Sequence, residues 1–436
     1  MNKAKFVGGI ITLLASLAWT QQTMSKFDRD RALDILRTVV DDVRKHYYDP
    51  KFHGVDWDAK VAEAKAKIEK ETSFNMAMSH IAAALDTLND SHTVFLPPLH
   101  TYRHDYGLQY QIIGERCFIT HVRPGSDAEK KGIKPGDEIL TINGFDVNRD
   151  DILKIQYVFW VLRPQATLHL TLADPGGSQR SVDVAAKVHE GGRVKNLADY
   201  GGEIWDLRQQ YEAYEWLTRI RYVEYGDPLI VIKLPEFKYL TALEVAGMMG
   251  KARKHQGLIL DLRGNPGGVL ETLKYMIGGV FDKEVKIDDR VGRKGRKLEM
   301  ANPLHNPYTG KLVVLVDAES ASAAELFARV IQLEKRGVVM GDRTAGAVME
   351  GKEYPEQSGT DTAAFYGVSV TEADLIMSDG KSLEHTGVTP DVLLLPGPYA
   401  LANGRDPVLA RAAETLGVKV SPEEAGKLFP YEWPPE

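Results

Sequence analysis

Ser322 stands at a junction that suits a nucleophile. The sequence predicts a buried strand over Lys311–Val316, then a tight turn of small residues, then a helix over Ala323–Glu334. Unpaired backbone N–H groups at a helix N-terminus favour negative charge. A serine hydroxyl placed there could attack a carbonyl group beside donors for the resulting oxyanion. The alternative is that Ser322 only caps the helix, which is a common role of serine.

A second segment offers donors of the same kind. Gly257–Leu262 has the pattern of a buried strand, and a turn with three glycines follows it at residues 263–268. Glycine lets backbone N–H groups approach a ligand closely. The glycine-rich phosphate-binding patterns of P-loop and dinucleotide-binding proteins do not occur in the sequence. The turn is therefore predicted to supply an oxyanion donor, and Asp261 and Arg263 are predicted to brace it.

Other groups of reactive side chains carry less weight. His100 and His104 have the spacing of a metal pair on a helix, but they follow Pro97-Pro98 and have no third ligand nearby in the sequence. We therefore expect no metal and no cofactor. The five basic residues from Arg290 to Lys297 are predicted to lie in a solvated loop.

Together these strings resemble the S41 peptidases, which comprise the C-terminal processing proteases and the tricorn-type proteases. Four motifs occur in the family's order: D-L-R-x-N-x-G-G from Asp261, S-A-S-x-x-E from Ser320, G-D-R-T-A-G from Gly341, and E-H-T-G-V-T-P-D from Glu384. The resemblance covers about residues 28–395. It implies that Ser322 is the nucleophile. It also implies that the N–H groups of Gly268 and Ala323 form the oxyanion hole, with Gly267 as the alternative to Gly268.

The general base distinguishes the two branches of the family. Processing proteases place a lysine directly after the T-x-G motif, where this chain has Ala347, and the next lysine is Lys352. Tricorn-type members use a histidine preceded by a serine, and Ser91-His92 matches that pair, while Glu384 matches their glutamate. The resemblance therefore implies that His92 is the general base, since imidazole accepts a proton near neutral pH. Ser91 and Glu384 would orient it.

A separate module resembles a PDZ domain. The run from Val122 to Gly144 reads as a strand, a short helix and a second strand with a Gly-Asp turn. PDZ domains add a peptide to a sheet edge and hold its terminal carboxylate with backbone N–H groups. The matching loop, which departs from the usual Gly-Leu-Gly-Phe composition, consists of Tyr106, Gly107, Leu108, Gln109 and Tyr110. The module either binds peptides or serves as a structural spacer.

The elements that position these residues predict a mixed α/β fold in three parts. Apolar residues at helical spacing predict a helical N-terminal domain over residues 27–100, and short alternating strands predict the PDZ-like domain over 103–190. From Pro228 strands alternate with helices, which predicts a partly parallel sheet in a catalytic core over 225–396. The S41 resemblance implies a core of the ClpP/crotonase-like type. Residues 397–436 are interpreted as a C-terminal tail.

Composition excludes several classes of protein. The chain has 436 residues, of which 43% are hydrophobic and 26% charged, so it can bury a large core. The formal net charge of −7 argues against nucleic acid as the main partner. Cys117 is the single cysteine, so an intramolecular disulfide and a thiolate zinc cage are impossible.

The N-terminus has the pattern of an export signal. Lys3 and Lys5 precede an apolar run from Val7 to Ala18, which is too short to cross a bilayer comfortably. A signal peptide over residues 1–22 and an N-terminal anchor helix are the two interpretations. Either would place the body outside the cytoplasm, in the periplasm or the extracellular space, and no stable membrane span would remain after removal of a signal.

These observations predict an exported serine endopeptidase that hydrolyses protein or peptide substrates through an acyl-enzyme. The PDZ-like domain would recognise a substrate's C-terminus or gate the site. Three alternatives stay open. One is a Ser–Lys dyad that uses Lys352. The others are a catalytically inactive binding protein, in which His92 is a helix-end histidine and Glu384 a surface acid, and a PDZ scaffold of the cell envelope.

Overall fold

The structure is a computed structural model that describes residues 24–98, 102–190, 212–359 and 364–434. The predicted export segment, residues 1–22, lies outside these ranges, as does His100. Within them, no helix combines the length and the apolar composition that a bilayer crossing needs.

Most helices lie at the N-terminus or around one large sheet, and α4 and α5 lie in the middle module. Their bounds are α1 (Lys26–His46), α2 (Trp57–Lys70), α3 (Phe74–Asp86), α4 (Asp127–Lys130), α5 (Ile152–Gln156), α6 (described over 212–217), α7 (Ala242–Ala252), α8 (Leu270–Gly278), α9 (Ala323–Leu333), α10 (Pro398–Ala402), α11 (Pro407–Thr415) and α12 (Pro422–Ala425). A 3₁₀ turn covers Phe52–Gly54, and a π-helical turn, Tyr157–Leu162, continues α5.

The strands fall into the N-terminal, middle and C-terminal parts of the chain. Their bounds are β1 (Val94–Leu96), β2 (Tyr102–Asp105), β3 (Leu108–Ile113), β4 (Arg116–Val122), β5 (Glu138–Ile142), β6 (Phe145–Asp146), β7 (Thr167–Ala173), β8 (Gln179–Ala185), β9 (Lys187–Glu190), β10 (Arg221–Tyr225), β11 (Leu229–Lys233), β12 (Gly257–Asp261), β13 (Val285–Gly292), β14 (Gly295–Ala301), β15 (Lys311–Val316), β16 (Val338–Gly341), β17 (Met349–Ser358), β18 (Ala364–Ile376) and β19 (Val392–Leu393).

The three N-terminal helices pack onto a sheet from the far end of the chain. The buried face of α1 repeats at helical spacing, as predicted, and it packs with α2 and α3. Tyr366, Val368 and Val370 of β18 belong to the same core. Strand β1 pairs antiparallel with β18. Strand β17 pairs with the other edge of the same stretch, and β13 pairs with β18 further along. The helical segment is therefore continuous with the core of the C-terminal half.

A small antiparallel sheet forms the middle of the chain. Its order is β3-β4-β5-β7-β8, and β6 pairs with β5. Strands β2 and β9 form a separate ribbon, so the chain enters and leaves this module side by side. In the described ranges β3 pairs only with β4 and is an edge strand, which is the property that peptide addition requires.

A six-stranded sheet forms the centre of the C-terminal half. Its order is β10-β11-β12-β15-β16-β19, with parallel pairing from β11 onward and an antiparallel β10 at one edge. The predicted partly parallel sheet is confirmed, and the predicted strands Gly257–Leu262 and Lys311–Val316 correspond to β12 and β15. Helices α7, α8 and α9 cover one face of the sheet.

Two sequence interpretations are corrected here. The interpretation of residues 397–436 as a tail is wrong, because α11 and α12 pack against the second face of the central sheet. Parallel strands buried on both faces require such a cover. The prediction of a solvated loop over 290–297 is also wrong. Most of that segment belongs to the β13–β14 hairpin, where Arg290 pairs with Glu350 and Arg296 pairs with Asp289.

Candidate active site

Ser322 lies in a strained turn between β15 and α9. Its backbone has φ 51° and ψ −115°, which differs from the extended conformation of an ordinary capping residue. A positive φ in a residue with a side chain costs about 1–3 kcal/mol and persists only where neighbours impose it. The Ser322 N–H is shared between the carbonyl oxygen of Ala347 and the Glu325 carboxylate, each at 3.0 Å. The contact with Glu325 belongs to a capping box, so it is the strained backbone of Ser322 that favours a role beyond that of a cap.

The glycine turn packs directly against this turn. The Ala321 N–H donates to the Asn265 carbonyl at 2.9 Å, and the Asn265 amide donates to the Leu234 carbonyl at 2.8 Å. Gly267 has φ 99°, and a Cβ there would stand 2.7 Å from the Cβ of Ser322. The residue must be glycine because the predicted nucleophile occupies the space of any side chain.

Two backbone N–H groups beside Ser322 are free to donate. Gly267 N–H is used by the Asn265 side-chain oxygen at 2.8 Å. Among the described residues, neither Gly268 N–H nor Ala323 N–H donates to a protein acceptor. Of the two registers that the sequence left open, the hydrogen bonding therefore favours Gly268 as the oxyanion donor.

His92 is held by a chain of hydrogen bonds that fixes its tautomer. The Ser91 hydroxyl donates to Glu384 Oε2 at 2.9 Å and lies 2.7 Å from His92 Nδ1. A hydroxyl has one hydrogen and an ionised carboxylate only accepts. The hydrogen between Ser91 and His92 must therefore come from Nδ1–H, which leaves the lone pair on Nε2 available as a base. The Ser91 N–H also donates to Glu384 Oε1 at 2.7 Å.

The turn that carries His92 is anchored by Asp90. One oxygen of Asp90 accepts from the backbone N–H groups of His92 and Thr93, at 3.0 and 2.7 Å, and from the Thr371 hydroxyl at 2.5 Å. A Cβ added to Gly351 of β17 would lie 3.0 Å from the Cβ of His92. The His92 ring therefore packs against the hairpin of β17 and β18.

One network joins the predicted site residues. Val348 N–H donates to Glu384 Oε2 at 2.8 Å, and the neighbouring Ala347 carbonyl accepts from Ser322. Among the described residues no direct hydrogen bond links the Ser322 hydroxyl to His92, and the two are connected through this backbone and Glu384. The structure therefore brings Ser322, Glu384, Ser91 and His92 into one neighbourhood from three distant parts of the sequence.

The environment of His92 favours the neutral form of its imidazole. Burial lowers the pKa of its imidazole below the ordinary value, while the charges of Glu384 and Asp90 act in the opposite direction. A neutral imidazole with a free Nε2 lone pair is the state that a general base needs.

Glu325 has a role that the sequence reasoning missed. It is fully buried, and its carboxylate accepts from Thr344 Oγ1 and from the N–H groups of Gly346, Ala347 and Ser322 at 2.5–3.0 Å. Burial raises its pKa to about 7, although the four donors favour the ionised form. An acid three residues after a serine at a helix start could have indicated this contact.

The predicted brace is present as an ion-pair chain. Arg263 donates to both oxygens of Asp261, at 2.9 and 2.8 Å, and to Asp406 at 2.8 Å. Burial alone would raise the pKa of Asp261, but Arg263 and Lys233 hold it below the ordinary value. Asp406 also caps α11, so the brace ties the glycine turn to the C-terminal helices.

Lys352, the alternative base, points away from this network. It follows Gly351 in β17, and successive side chains of a strand lie on opposite faces. Its ammonium group lies 5.4 Å from the centre of the Tyr354 ring. His104 lies in β2 rather than on a helix. In the described part of the chain no cluster of histidine, cysteine and acidic residues is arranged to hold a metal ion.

The PDZ-like module lies next to the turn of Ser322. Tyr106 and Gly107 of the predicted loop precede β3, and Leu108, Gln109 and Tyr110 begin it. Further along β3, the Gln111 amide donates to Asp317 at 2.5 Å. Ala318 packs against the module's core. The edge strand of the module is thus close to the segment that leads into the predicted nucleophile.

Two segments of the chain match known families, and several proteases are similar in sequence. Residues 229–394 match the sequence model of peptidase family S41, and residues 101–155 match that of the PDZ domain. The carboxy-terminal processing protease CtpA of Bacillus subtilis is 28% identical over 287 residues, which are 64% of this chain and 53% of CtpA. The chloroplastic carboxyl-terminal-processing peptidase 3 of Arabidopsis thaliana is 25% identical over 385 residues, 83% of this chain and 69% of that one. The chain thus spans about half the length of CtpA.

Solved structures share the fold. Mature CPAF complexed with lactacystin has a TM-score of 0.62 at 16% identity and covers 90% of this chain and 98% of its own. The photosystem II D1 C-terminal processing protease has a TM-score of 0.53 at 20% identity and covers 90% of this chain and 99% of its own. The motifs, the two matching segments and the shared fold agree: residues 229–394 are similar to peptidase family S41, and residues 101–155 are similar to the PDZ domain.

Proposed function

We propose that the protein is an exported serine endopeptidase in which Ser322 is the nucleophile and His92 the general base. The observation that carries this proposal is the Nδ1–Ser91–Glu384 hydrogen-bond chain, because it presents a basic Nε2 in the neighbourhood of a strained serine. The rival binding-only interpretation gives no reason for a half-buried, tautomerically fixed histidine at this place.

The first half of the reaction forms an acyl-enzyme. Ser322 Oγ attacks the carbonyl carbon of the scissile peptide bond while His92 Nε2 takes its proton. The negative charge that develops on the carbonyl oxygen is stabilised by the N–H groups of Gly268 and Ala323. His92 then gives its proton to the leaving amine as the C–N bond breaks.

The second half returns the enzyme. His92 takes a proton from a water molecule, whose oxygen attacks the ester carbon, and the same two N–H groups hold the oxyanion again. Ser322 leaves with the proton from His92. Throughout, Glu384 stabilises the imidazolium through the Ser91 hydroxyl, as the distances of 2.9 and 2.7 Å allow.

The PDZ domain selects or admits the substrate in this proposal. Among the described residues its edge strand β3 pairs only with β4, which leaves the other edge for an added peptide, and Tyr106–Tyr110 precedes and begins that strand. The Gln111–Asp317 hydrogen bond places the strand beside the segment before Ser322. We propose that protein substrates are held there by their C-termini, outside the cytoplasm.

Two substitutions test the proposal. Ser322→Ala should abolish both cleavage of an unstructured protein and labelling by a serine-reactive phosphonate. Lys352→Ala should leave both within about twofold of the wild type, since its ammonium group lies over Tyr354. Loss of activity on Lys352→Ala would support a Ser–Lys dyad. A wild-type protein that is neither labelled nor active would support a binding function.

A further inference from the structure

The segment Tyr431–Pro434, named here the C-terminal strap, lies between the PDZ domain and the edge of the central sheet. Phe429 and Pro430 lead into it, and no helix or strand includes it. It contacts four basic side chains. His121 lies on β4 of the PDZ domain, and Arg123 lies just beyond that strand. Arg221 lies on β10 of the sheet, and Arg219 lies just before it.

On the PDZ side the contacts are mainly with rings. The His121 imidazole stacks on Tyr431 with ring centres 4.4 Å apart and an angle of 25°. The Arg123 guanidinium lies 4.7 Å from the centre of the Trp433 ring, in cation–π geometry. Arg123 also reaches the Pro434 carbonyl, at 3.3 and 3.4 Å. This side recognises two aromatic residues separated by one position.

On the sheet side the contacts are with a carboxylate and a carbonyl. Arg219 binds both oxygens of Glu432, each at 2.7 Å. Arg221 donates to the Pro430 carbonyl at 3.0 Å and lies 3.7 Å from Glu432. A bidentate arginine–carboxylate pair adds directional specificity to the charge attraction. The sheet side therefore selects an acidic residue between the two aromatic ones.

We propose that this cleft is a second peptide-binding site, for extended segments with an acidic residue between two aromatic residues, and that the strap occupies it within the chain. The site differs from the open edge of β3, because its ligands come from β4, from β10 and from their flanking residues. It is adjacent to the predicted carboxylate loop, since Arg123 N–H donates to the Gly107 carbonyl at 2.7 Å and its side chain pairs with Asp105 at 3.0 Å.

The contacts of the strap are weak enough for a free peptide to replace it in the cleft. The Arg219 and Glu432 side chains keep 29% and 30% of their exposure, so water screens the pair and weakens it. Tyr431 is 39% exposed. A tethered segment nevertheless has a local concentration in the millimolar range, which a free peptide must overcome. The full chain should therefore bind such a peptide poorly, and removal of the strap should reveal the site.

A binding experiment tests the site without any catalysis. The protein carries Ser322→Ala to prevent cleavage, and the probe is a fluorescein-labelled peptide of residues 429–434 followed by anisotropy. A chain that ends at Phe429 should bind the probe saturably, and the full chain should bind it at least about tenfold more weakly. Arg219→Ala in the shortened chain, or Glu432→Gln in the probe, should weaken binding about tenfold. Arg37→Ala, an exposed arginine on α1, is the matched control and should change nothing.

A second variant guards against misfolding of the shortened chain. Glu432→Lys in the full chain removes no residue and replaces the attraction to Arg219 with repulsion. It should bind the probe about tenfold more tightly than the unmodified full chain. The proposal would be overturned if the Glu432→Lys full chain and the unmodified full chain bound the probe equally. It would also be overturned if the shortened chain folded but did not bind the probe, or bound the Glu432→Gln probe equally well. Because no outcome depends on hydrolysis, the result stands apart from the proposed peptidase activity.

Discussion

At the residue scale, the proposed site depends on the hydrogen-bond chain that runs from Glu384 through the Ser91 hydroxyl to His92. Ser322, His92 and Glu384 were predicted because a known family keeps those residue types in that order. Their hydrogen bonds could not be predicted, since the tautomer of His92 depends on a Ser91 hydroxyl whose acceptor lies 293 residues away. The role of Glu325 was missed because an acid near a helix start usually caps a helix in contact with water.

The first prediction concerns the charge of Glu384. The pKa of His92 is lowered chiefly by burial, and Glu384 is the largest influence that opposes the lowering. Glu384→Gln removes that charge, so the pKa of His92 should fall further. Because the neutral form is the active base in the proposed mechanism, loss of activity on acidification should occur at lower pH in the variant. The kcat should also fall by about 10–100-fold, as the imidazolium loses its stabilising charge.

The measurement is kcat/KM for an unstructured substrate as a function of pH. Lys352→Ala serves as the control and should keep the wild-type profile. An acid limb that moves to higher pH in Glu384→Gln would show that Glu384 does not act on the base through its charge.

At the element scale, periodicity predicted the helices and the buried strands but not how strands pair. The β13–β14 hairpin was interpreted as a loop because its basic residues resemble a solvated stretch, whereas two of them, Arg290 and Arg296, pair with Glu350 and Asp289. The pairing of β1 with β18 could not be predicted either, because the two strands are more than 260 residues apart and antiparallel pairing leaves no local signal in the sequence.

The second prediction concerns the fit between the glycine turn and the start of α9. Gly267→Ala would place a Cβ 2.7 Å from the Cβ of Ser322 at a backbone φ of 99°. The turn must move, so Ser322 and the Gly268 N–H would no longer be aligned. We expect kcat to fall at least about 100-fold, with a loss of about 1–3 kcal/mol in the free energy of unfolding.

Gly247 in α7 offers the same substitution without the clash, since no atom beyond its chain neighbours and the backbone of its own helix lies within 4 Å of a Cβ there. Gly247→Ala should stabilise the protein by about 0.5–1 kcal/mol, because alanine favours the helix, and should leave kcat unchanged. Kinetics and denaturant unfolding of the pair give the test. Full activity in Gly267→Ala would mean that the turn does not align the nucleophile.

At the scale of the whole molecule, the arrangement of the PDZ domain against the core could not be predicted from the sequence. Composition and motifs divided the chain into parts, but the contacts between parts depend on single side chains. The C-terminal residues show this best, since a segment taken for a tail covers one face of the central sheet and then reaches the PDZ domain through Tyr431 and Trp433. The order of residues along the chain does not indicate that the C-terminal segment contacts the PDZ domain.

The last prediction follows from a buried contact between the PDZ domain and the core. Arg149 donates to the carbonyls of Gly114 and Arg343, at 2.8 and 2.9 Å, and to the Asp342 carboxylate at 2.7 Å, which also accepts from Gly114 N–H. Both charged side chains are less than 10% exposed. Removal of one partner from a buried ion pair costs about 3–5 kcal/mol, because the other charge stays buried. Arg149→Ala should therefore lower the opening free energy of the Gly114 amide by about 3 kcal/mol in native-state hydrogen exchange.

The same loss should reach the candidate site. Asp342 and Arg343 precede Thr344, whose hydroxyl donates to Glu325, and Glu325 accepts from the Ser322 N–H. Arg149→Ala should accordingly reduce kcat, although Arg149 lies outside the reacting groups. Arg116→Ala is the matched control on the same domain, because its partner Glu138 is bound at the surface and the arginine is 57% exposed. That variant should change the opening free energy by less than about 1 kcal/mol and leave kcat intact. If both arginine variants gave equally small effects, the PDZ domain would be docked without being coupled to the turn of Ser322.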